Sequence, residues 1–453
     1  MHQIMTREKS FYKELARIAL PIALQNLITF GLNMLDTVMI GAVGESELAA
    51  VGQANQPFFV FTLFLFGIAS GSCILISQYW GKGDKRTIGN VMGFSMTIAT
   101  SVALLVTAAV MIFPKQIMKI FINDEAVANI GVEYLMIVAP SYVLTAISST
   151  YLSLIRATEQ VSVPLKINII SLGTNALLNY LFIFGKFGIP AMGVRGAALA
   201  TVIARLLELA IVLFLMSRKN AVIRLKWSDF IRMPKLLVKD FFKYSTPVII
   251  NETLWGLGIS VYSMILGQLG PSAVASANVV QVLEKLACVA LFGISNATII
   301  LLGKKIGSGE YSNDTIMVYA KTTMVLALVC GVFFGGVLIV LRPVIFMIYQ
   351  LPADTIALAK QMLLVTGSSL FLRSLSNISI VGILRSGGDS NFSLFVDTTG
   401  LWLVGIPFGL VAAFVLHAPT VVVYASFVAE QFYKSVVCVF RVLSRKWIKN
   451  VTR

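Results

Sequence analysis

Three carboxylates stand inside long apolar runs of this chain: Asp36, Glu252 and Asp397. An ionised side chain at the centre of a membrane-spanning helix costs about 2.5–3.5 kcal/mol on insertion scales. A chain carries that cost where the carboxylate faces a polar cavity and can bind and release a cation. Desolvation favours the proton-loaded form, and loading with a proton removes the charge that Na⁺ or a cationic substrate needs. Exchange of ion for substrate follows from that competition. Asp36 lies within PIALQNLITFGLNMLDTVMIG (21–41), with Asn33 one turn earlier as a hydrogen-bond partner. Glu252 shares its run with Trp255 and Tyr262. Asp397 sits only a turn or so into its run, where capping or snorkelling is the plainer alternative.

Other intramembrane charges have blander readings. Arg205 and Glu208, at i and i+3, are expected to neutralise each other. Glu284 and Lys285 are adjacent and so do not face each other; at least one needs a partner on another helix. Arg373 either pairs with a carboxylate or lines a cavity. Glu430, with Gln431, Tyr433 and Lys434, marks the inner end of the last run. Most of the 17 Met and the 10% aromatic residues are packing or lipid-facing. Those placed to line an amphipathic cavity are Phe59, Phe66, Trp255, Tyr262 and Phe292, with Arg373. Flat aromatic surfaces suit loosely specified substrates, and a carboxylate selects positive charge. His2 and His417 are far from any acidic cluster, so no metal or nucleophile constellation for an enzyme is present, and no tightly held metal is expected.

The elements that hold these groups are membrane helices. The 453 residues are 57% hydrophobic and 13% charged, against about 25% charged in a soluble domain. Mean hydropathy is +0.85. Twelve apolar segments are bounded by charge, Gly or Pro: 15–40, 54–79, 88–113, 130–155, 163–184, 194–216, 242–266, 273–302, 315–341, 356–384, 392–416 and 419–442. The net charge of +15 gathers in alternate loops, which argues for positive-inside orientation and against nucleic acid. One side holds Arg7, Lys9, Lys13, Lys82, Lys85, Arg86, Arg156, the basic connection 217–240, Lys304, Lys305, Arg385 and the tail to Arg453; the other holds mainly Lys115, Lys119, Lys186 and Arg342. Both termini are therefore expected inside, which requires an even number of spans. The connection 218–240 reads as a solvated linker, with room for a short interfacial helix, between an N-terminal lobe (1–217) and a C-terminal lobe (241–453). Cys73, Cys288, Cys330 and Cys438 all lie in apolar runs and read as small core hydrophobes.

The two halves repeat. A constant shift of 226 residues puts Pro21 on Pro247, Gly41 on Gly267, Gly67 on Gly293 and Gly81 on Gly307, without a gap as far as Asp84 on Glu310. A shift of 229 puts Arg156 on Arg385. Six spans return the chain to its starting side, so the lobes are related by a pseudo-twofold along the membrane normal. Transporters built this way place their site between lobes and alternate access by rocking. The carboxylates break the symmetry: Asp36 falls on Tyr262, Glu252 on Asn26 and Asp397 on Asn168. No GxxxxGK[ST] loop is present, so the energy is expected from an ion gradient.

LDTVMIG in the first span, GKGD after the second, RATEQVSVPLKIN between the fourth and fifth, NALLNYLFIFG in the fifth and GILRSGGDSNFSLFVDTTGLWLVGIP resemble the multidrug and toxic compound extrusion (MATE) transporters, bacterial members above all. The resemblance covers nearly the whole chain. It implies an all-α, twelve-helix, two-lobe antiporter of the cytoplasmic membrane, acting as a monomer on small organic cationic or amphipathic compounds, with H⁺ or Na⁺ as coupling ion and no other cofactor. It implies that Asp36 couples in the N-terminal lobe, facing Asn175 and Asn179, and that Glu252 couples in the C-terminal lobe. Na⁺ near Asp36 or Glu252 is the alternative to H⁺. Some Na⁺-coupled members carry an acid on the tenth helix; here that stretch offers Ser374, Ser376 and Asn377. The competing expectation is a lipid-linked oligosaccharide flippase of the same plan, which Arg205, Lys285 and Arg373 favour and the three carboxylates oppose.

Overall fold

The computed structural model describes residues 5–122, 124–218, 221–347, 349 and 351–452; His2, Lys219 and Arg453 lie outside them. Among the described residues the chain is helical throughout, without strands. Among the described residues eleven helices are long and apolar enough to cross a membrane, or twelve with a bent pair counted as one span. The helices are α1 (Lys9–Gly41), α2 (Glu45–Ala54), α3 (Gln56–Lys82), α4 (Lys85–Ile112), α5 (Pro114–Phe121), α6 (Glu125–Val138), α7 (Pro140–Arg156), α8 (Ser162–Phe184), α9 (Gly193–Ser217) and α10 (Trp227–Ile231). They continue with α11 (Lys235–Gln268), α12 (Pro271–Ser308), α13 (Asn313–Ile345), α14 (Ala353–Asn377), α15 (Ser390–Thr399), α16 (Ile406–Leu410), α17 (Thr420–Ser426) and α18 (Val428–Leu443).

Local chemistry sets several boundaries. Asp84 caps α4 by accepting from Thr87 N (3.0 Å), and Asp124 caps α6 through Ala126 N (2.8 Å). Pro140 opens α7 at its first turn, where its missing N–H costs nothing. The bend of 51° between α6 and α7 falls there. Gly185, at φ +66, closes α8 in the left-handed region. Two features were not expected. The amphipathic α5 lies outside every apolar segment. The tenth and eleventh spans contain π-helical turns at Ile378–Leu384, Gly400–Gly405 and Val411–Val415.

The chain forms two compact units. One comprises Leu24–Ser72 and Asp84–Phe242; the other comprises Met1–Ala23, Cys73–Gly83 and Lys243–Arg453. The boundaries differ from a division at the linker, for two reasons. First, residues 5–23 and 73–83 are fastened to the C-terminal half. Thr6 N donates to Thr322 Oγ1 (2.9 Å), Phe11 stacks on Tyr319 at 4.5 Å, and the Gln78 amide binds Ser386 O (2.8 Å), Lys449 O (3.0 Å) and Val451 N (2.7 Å). Second, the linker packs on the N-terminal half. Asp229 of α10 is fully buried and pairs with Arg86 of α4 at 2.7 Å, and Thr97 Oγ1 donates to Phe230 O (2.8 Å). The expected solvated linker is thus a docked one, with the short helix in place.

Within the second unit, a core of Leu266, Val280, Leu283, Leu291, Met362, Leu363 and Leu370 joins α11, α12 and α14. α13 and α14 approach closely through small residues: a Cβ on Gly335 would lie 2.2 Å from Gly367 O. Such contacts supply the van der Waals packing that drives helix association in lipid. Cys73, Cys288 and Cys438 are buried and Cys330 partly so.

Candidate functional site

In the first unit, α1 brings Asp36 opposite α8. Asn179 Nδ2 donates to Asp36 Oδ1 at 2.8 Å. Asn175, one turn away, accepts from Asn179 Nδ2 (3.4 Å) and donates to Thr201 Oγ1 of α9 (3.4 Å). The i, i+4 spacing of the two asparagines puts both on one face of α8. Asp36 is half-buried, and among the described residues it makes no ion pair. Asn33 is exposed and its side chain does not reach Asp36; the donor that orients the carboxylate is Asn179 on a different helix. Asn168 turns back on its own helix, donating to Pro164 O (3.1 Å). Arg205 and Glu208 pair at 2.7 Å as expected, and Glu208 also accepts from Ser148 (2.6 Å) and Ser171 (2.9 Å).

In the second unit the carboxylates are differently placed. Glu252 Oε1 meets Arg385 Nη2 at 2.8 Å. Asp397 Oδ1 meets Lys434 Nζ at 2.5 Å, while its Oδ2 accepts from Asn251 Nδ2 (2.9 Å). Lys434 also bonds Glu430, and Glu430 Oε2 accepts from Tyr262 OH at 2.5 Å. Gln431 joins Glu430 (3.3 Å) to Ser376 (2.8 Å), and Arg373 is paired with Glu284. The position a coupling ion would take beside Glu252 or Asp397 is held by a guanidinium or an ammonium of the chain itself. Of the three carboxylates expected to couple, Glu252 and Asp397 have a cationic partner and Asp36 has none among the described residues. Asn377 Oδ1 is enclosed without a hydrogen-bond partner among the described residues.

Glu430 and Lys434 were expected at the inner end of the last span. Both are instead buried in the ion network, Lys434 at 2% exposure. Their i, i+4 spacing within an apolar run was the available signal. Of the residues expected to line a cavity, Phe59, Phe66 and Phe292 are exposed, Trp255 is partly so, and Tyr262 stacks on Phe427 at 4.0 Å.

The sequence model of the MatE family matches residues 21–181 and 247–411, one block in each half. A probable multidrug resistance protein NorM of Thermotoga maritima is 23% identical, covering 97% of this chain and 93% of that protein. The multidrug resistance protein MdtK of Yersinia enterocolitica is 25% identical over 88% of this chain and 86% of its own. The solved outward-facing conformation of a multidrug resistance MATE family transporter superposes with a TM-score of 0.86 at 16% identity, covering 98% of this chain and 99% of the other.

Proposed function

The chain belongs to the MatE family, and we propose that it exports organic cations and drug-like compounds across the cytoplasmic membrane in exchange for H⁺ or Na⁺. The observation that supports this reading is the Asp36–Asn179 contact: an intramembrane carboxylate, oriented by a neutral donor and without a fixed counter-charge among the described residues. Asn179 can serve either state, donating its amide N–H to the carboxylate or accepting from the protonated acid through its Oδ1, which is buried and otherwise unpartnered. A cation of the substrate and the coupling ion then compete for one negative charge. Loading of Asp36 from outside favours release of the substrate outward. Glu252 and Asp397 act in support, as carboxylates held by Arg385 and Lys434. The flippase reading calls for several free cations facing phosphate, whereas Arg205 and Arg373 are each neutralised by a glutamate and only Lys285 of the three is unpaired among the described residues.

The test is ethidium export from proteoliposomes holding the purified protein, under an imposed pH or Na⁺ gradient. One gradient is expected to drive export above the rate without a gradient. Equal rates with and without both gradients contradict the reading.

A further inference from the structure

Lys285 is a cation in the middle of a membrane helix that pairs with nothing among the described residues. It lies 14 residues from Pro271 and 23 from Ser308 of α12, about 21 and 35 Å from the two ends at 1.5 Å per residue. A lysine side chain is too short to snorkel across either distance. Its neighbour Glu284 is already paired with Arg373. Yet Lys285 is exposed, so it must stand in water and not in hydrocarbon.

Polar groups share its helix face: Asn278, Gln281 and Asn296, with Phe292, fall within about 60° of Lys285 around the helix at 100° per residue, interleaved with Val274, Val282 and Val289. Asn278 and Phe292 are exposed, Gln281 and Asn296 partly so. By contrast the exposed mid-helix residues of α13 are Val329, Val332, Phe333, Val340 and Leu341, a surface for lipid. The polar face of α12 continues to Gly303 and Gly307, where it packs on residues 77 and 78: a Cβ on Gly307 would lie 1.9 Å from Gln78 O. Closed there and uncovered from Asn296 towards Pro271, this face is the wet one.

The internal repeat isolates the feature. The 226-residue shift puts Lys285 on Phe59, Phe292 on Phe66 and Asn296 on Ser70. The aromatic is retained at one position, and the second aromatic is replaced by an ammonium. We infer that Lys285, with Asn278, Gln281 and Asn296, forms a subsite for an anionic oxygen group of the substrate, a carboxylate or a phosphate, with the apolar body of the substrate on Phe292. This deepens the export reading and rests on it: the transported compounds include ones that carry an acid group.

The experiment uses the purified full chain and two matched probe pairs: a fluorescent aromatic amino carboxylate with its methyl ester, and an alkyl phosphate with its alcohol. Wild type is expected to bind the acid at least about tenfold more tightly than its neutral mate in one pair, and the pair identifies the group. Lys285→Met is expected to erase that preference and Lys285→Arg to keep it. No preference in wild type, or a preference that survives Lys285→Met, would overturn the assignment. Equal weakening of acid and neutral mate by Lys285→Met would also overturn it, since the lysine would then be structural. Ethidium export by wild type in the same vesicles keeps the two readings apart. Gradient-driven export without acid preference rejects only the Lys285 subsite; absence of export rejects the function on which it rests.

Discussion

At the residue scale Asp36 stands apart from the other carboxylates within the spans, since Glu208 of the same unit is paired with Arg205. Asp36 has a neutral partner that can follow a change of protonation state. Glu252, Glu284, Asp397 and Glu430 have cationic partners. Removing Asn179 takes away a hydrogen bond to a charged group, worth about 1.5–3 kcal/mol. Asn179→Ala is therefore expected to slow gradient-driven ethidium export by about tenfold or more, read as initial rates in proteoliposomes. An undiminished rate would show that Asn179 does not orient Asp36. Removing Lys434 leaves Asp397 and Glu430 buried side by side, a change of the kind that costs about 3–5 kcal/mol. Lys434→Met is expected to lower the thermal unfolding midpoint in detergent clearly, and Lys434→Met with Asp397→Asn to recover part of the loss. A midpoint equal to wild type would mean the network contributes nothing. Asp36 was legible in the sequence because a charge in an apolar run is conspicuous. Its partner Asn179 came from the resemblance and not from the pattern. The Asp397–Lys434–Glu430 cluster was not legible. It needs the registers of α15 and α18 at once, and nothing in α18 signals which residues of α15 it meets.

At the element scale, apolar length gave eleven spans that are single helices and a twelfth, 130–155, that is a pair bent by 51° at Pro140. Apolar length carries no sign of where the backbone leaves the 3.6-residue repeat. Each π turn rotates the residues beyond it relative to an ideal helix, and the turns at Ile378–Leu384 and Gly400–Gly405 stand next to Arg385 and close after Asp397. At Gly405 a Cβ would come 1.9 Å from the Tyr262 hydroxyl, so the π turn brings bare backbone against the residue that donates to Glu430. The docked linker was also hidden, because a basic connection looks alike whether solvated or packed. Arg86 is half-exposed and so partly screened, but its partner Asp229 is fully buried. Arg86→Ala is expected to raise amide hydrogen exchange in residues 226–232 several-fold while the membrane spans stay protected. Unchanged exchange there would mean that the ion pair does not hold α10 on α4.

At the scale of the whole molecule, charge distribution and duplication carry the account. The net charge of +15 is gathered in alternate loops, the pattern expected when both termini and the linker face the cytoplasm. In a background without native cysteines, Lys186→Cys is expected to react with an impermeant maleimide on intact cells, and Arg445→Cys only after permeabilisation. The reverse pattern would invert the topology and with it the direction of export. The repeat supplies paired positions, and function is argued from those where the pair differs: Asp36 against Tyr262, and Lys285 against Phe59. The central claim is that one unpaired carboxylate couples ion and substrate. Its most direct test is ethidium export from proteoliposomes under an imposed pH or Na⁺ gradient, wild type beside Asp36→Asn. The variant is expected to fold, reconstitute and lose gradient-driven export by at least about a hundredfold; export by Asp36→Asn at the wild-type rate would contradict the account.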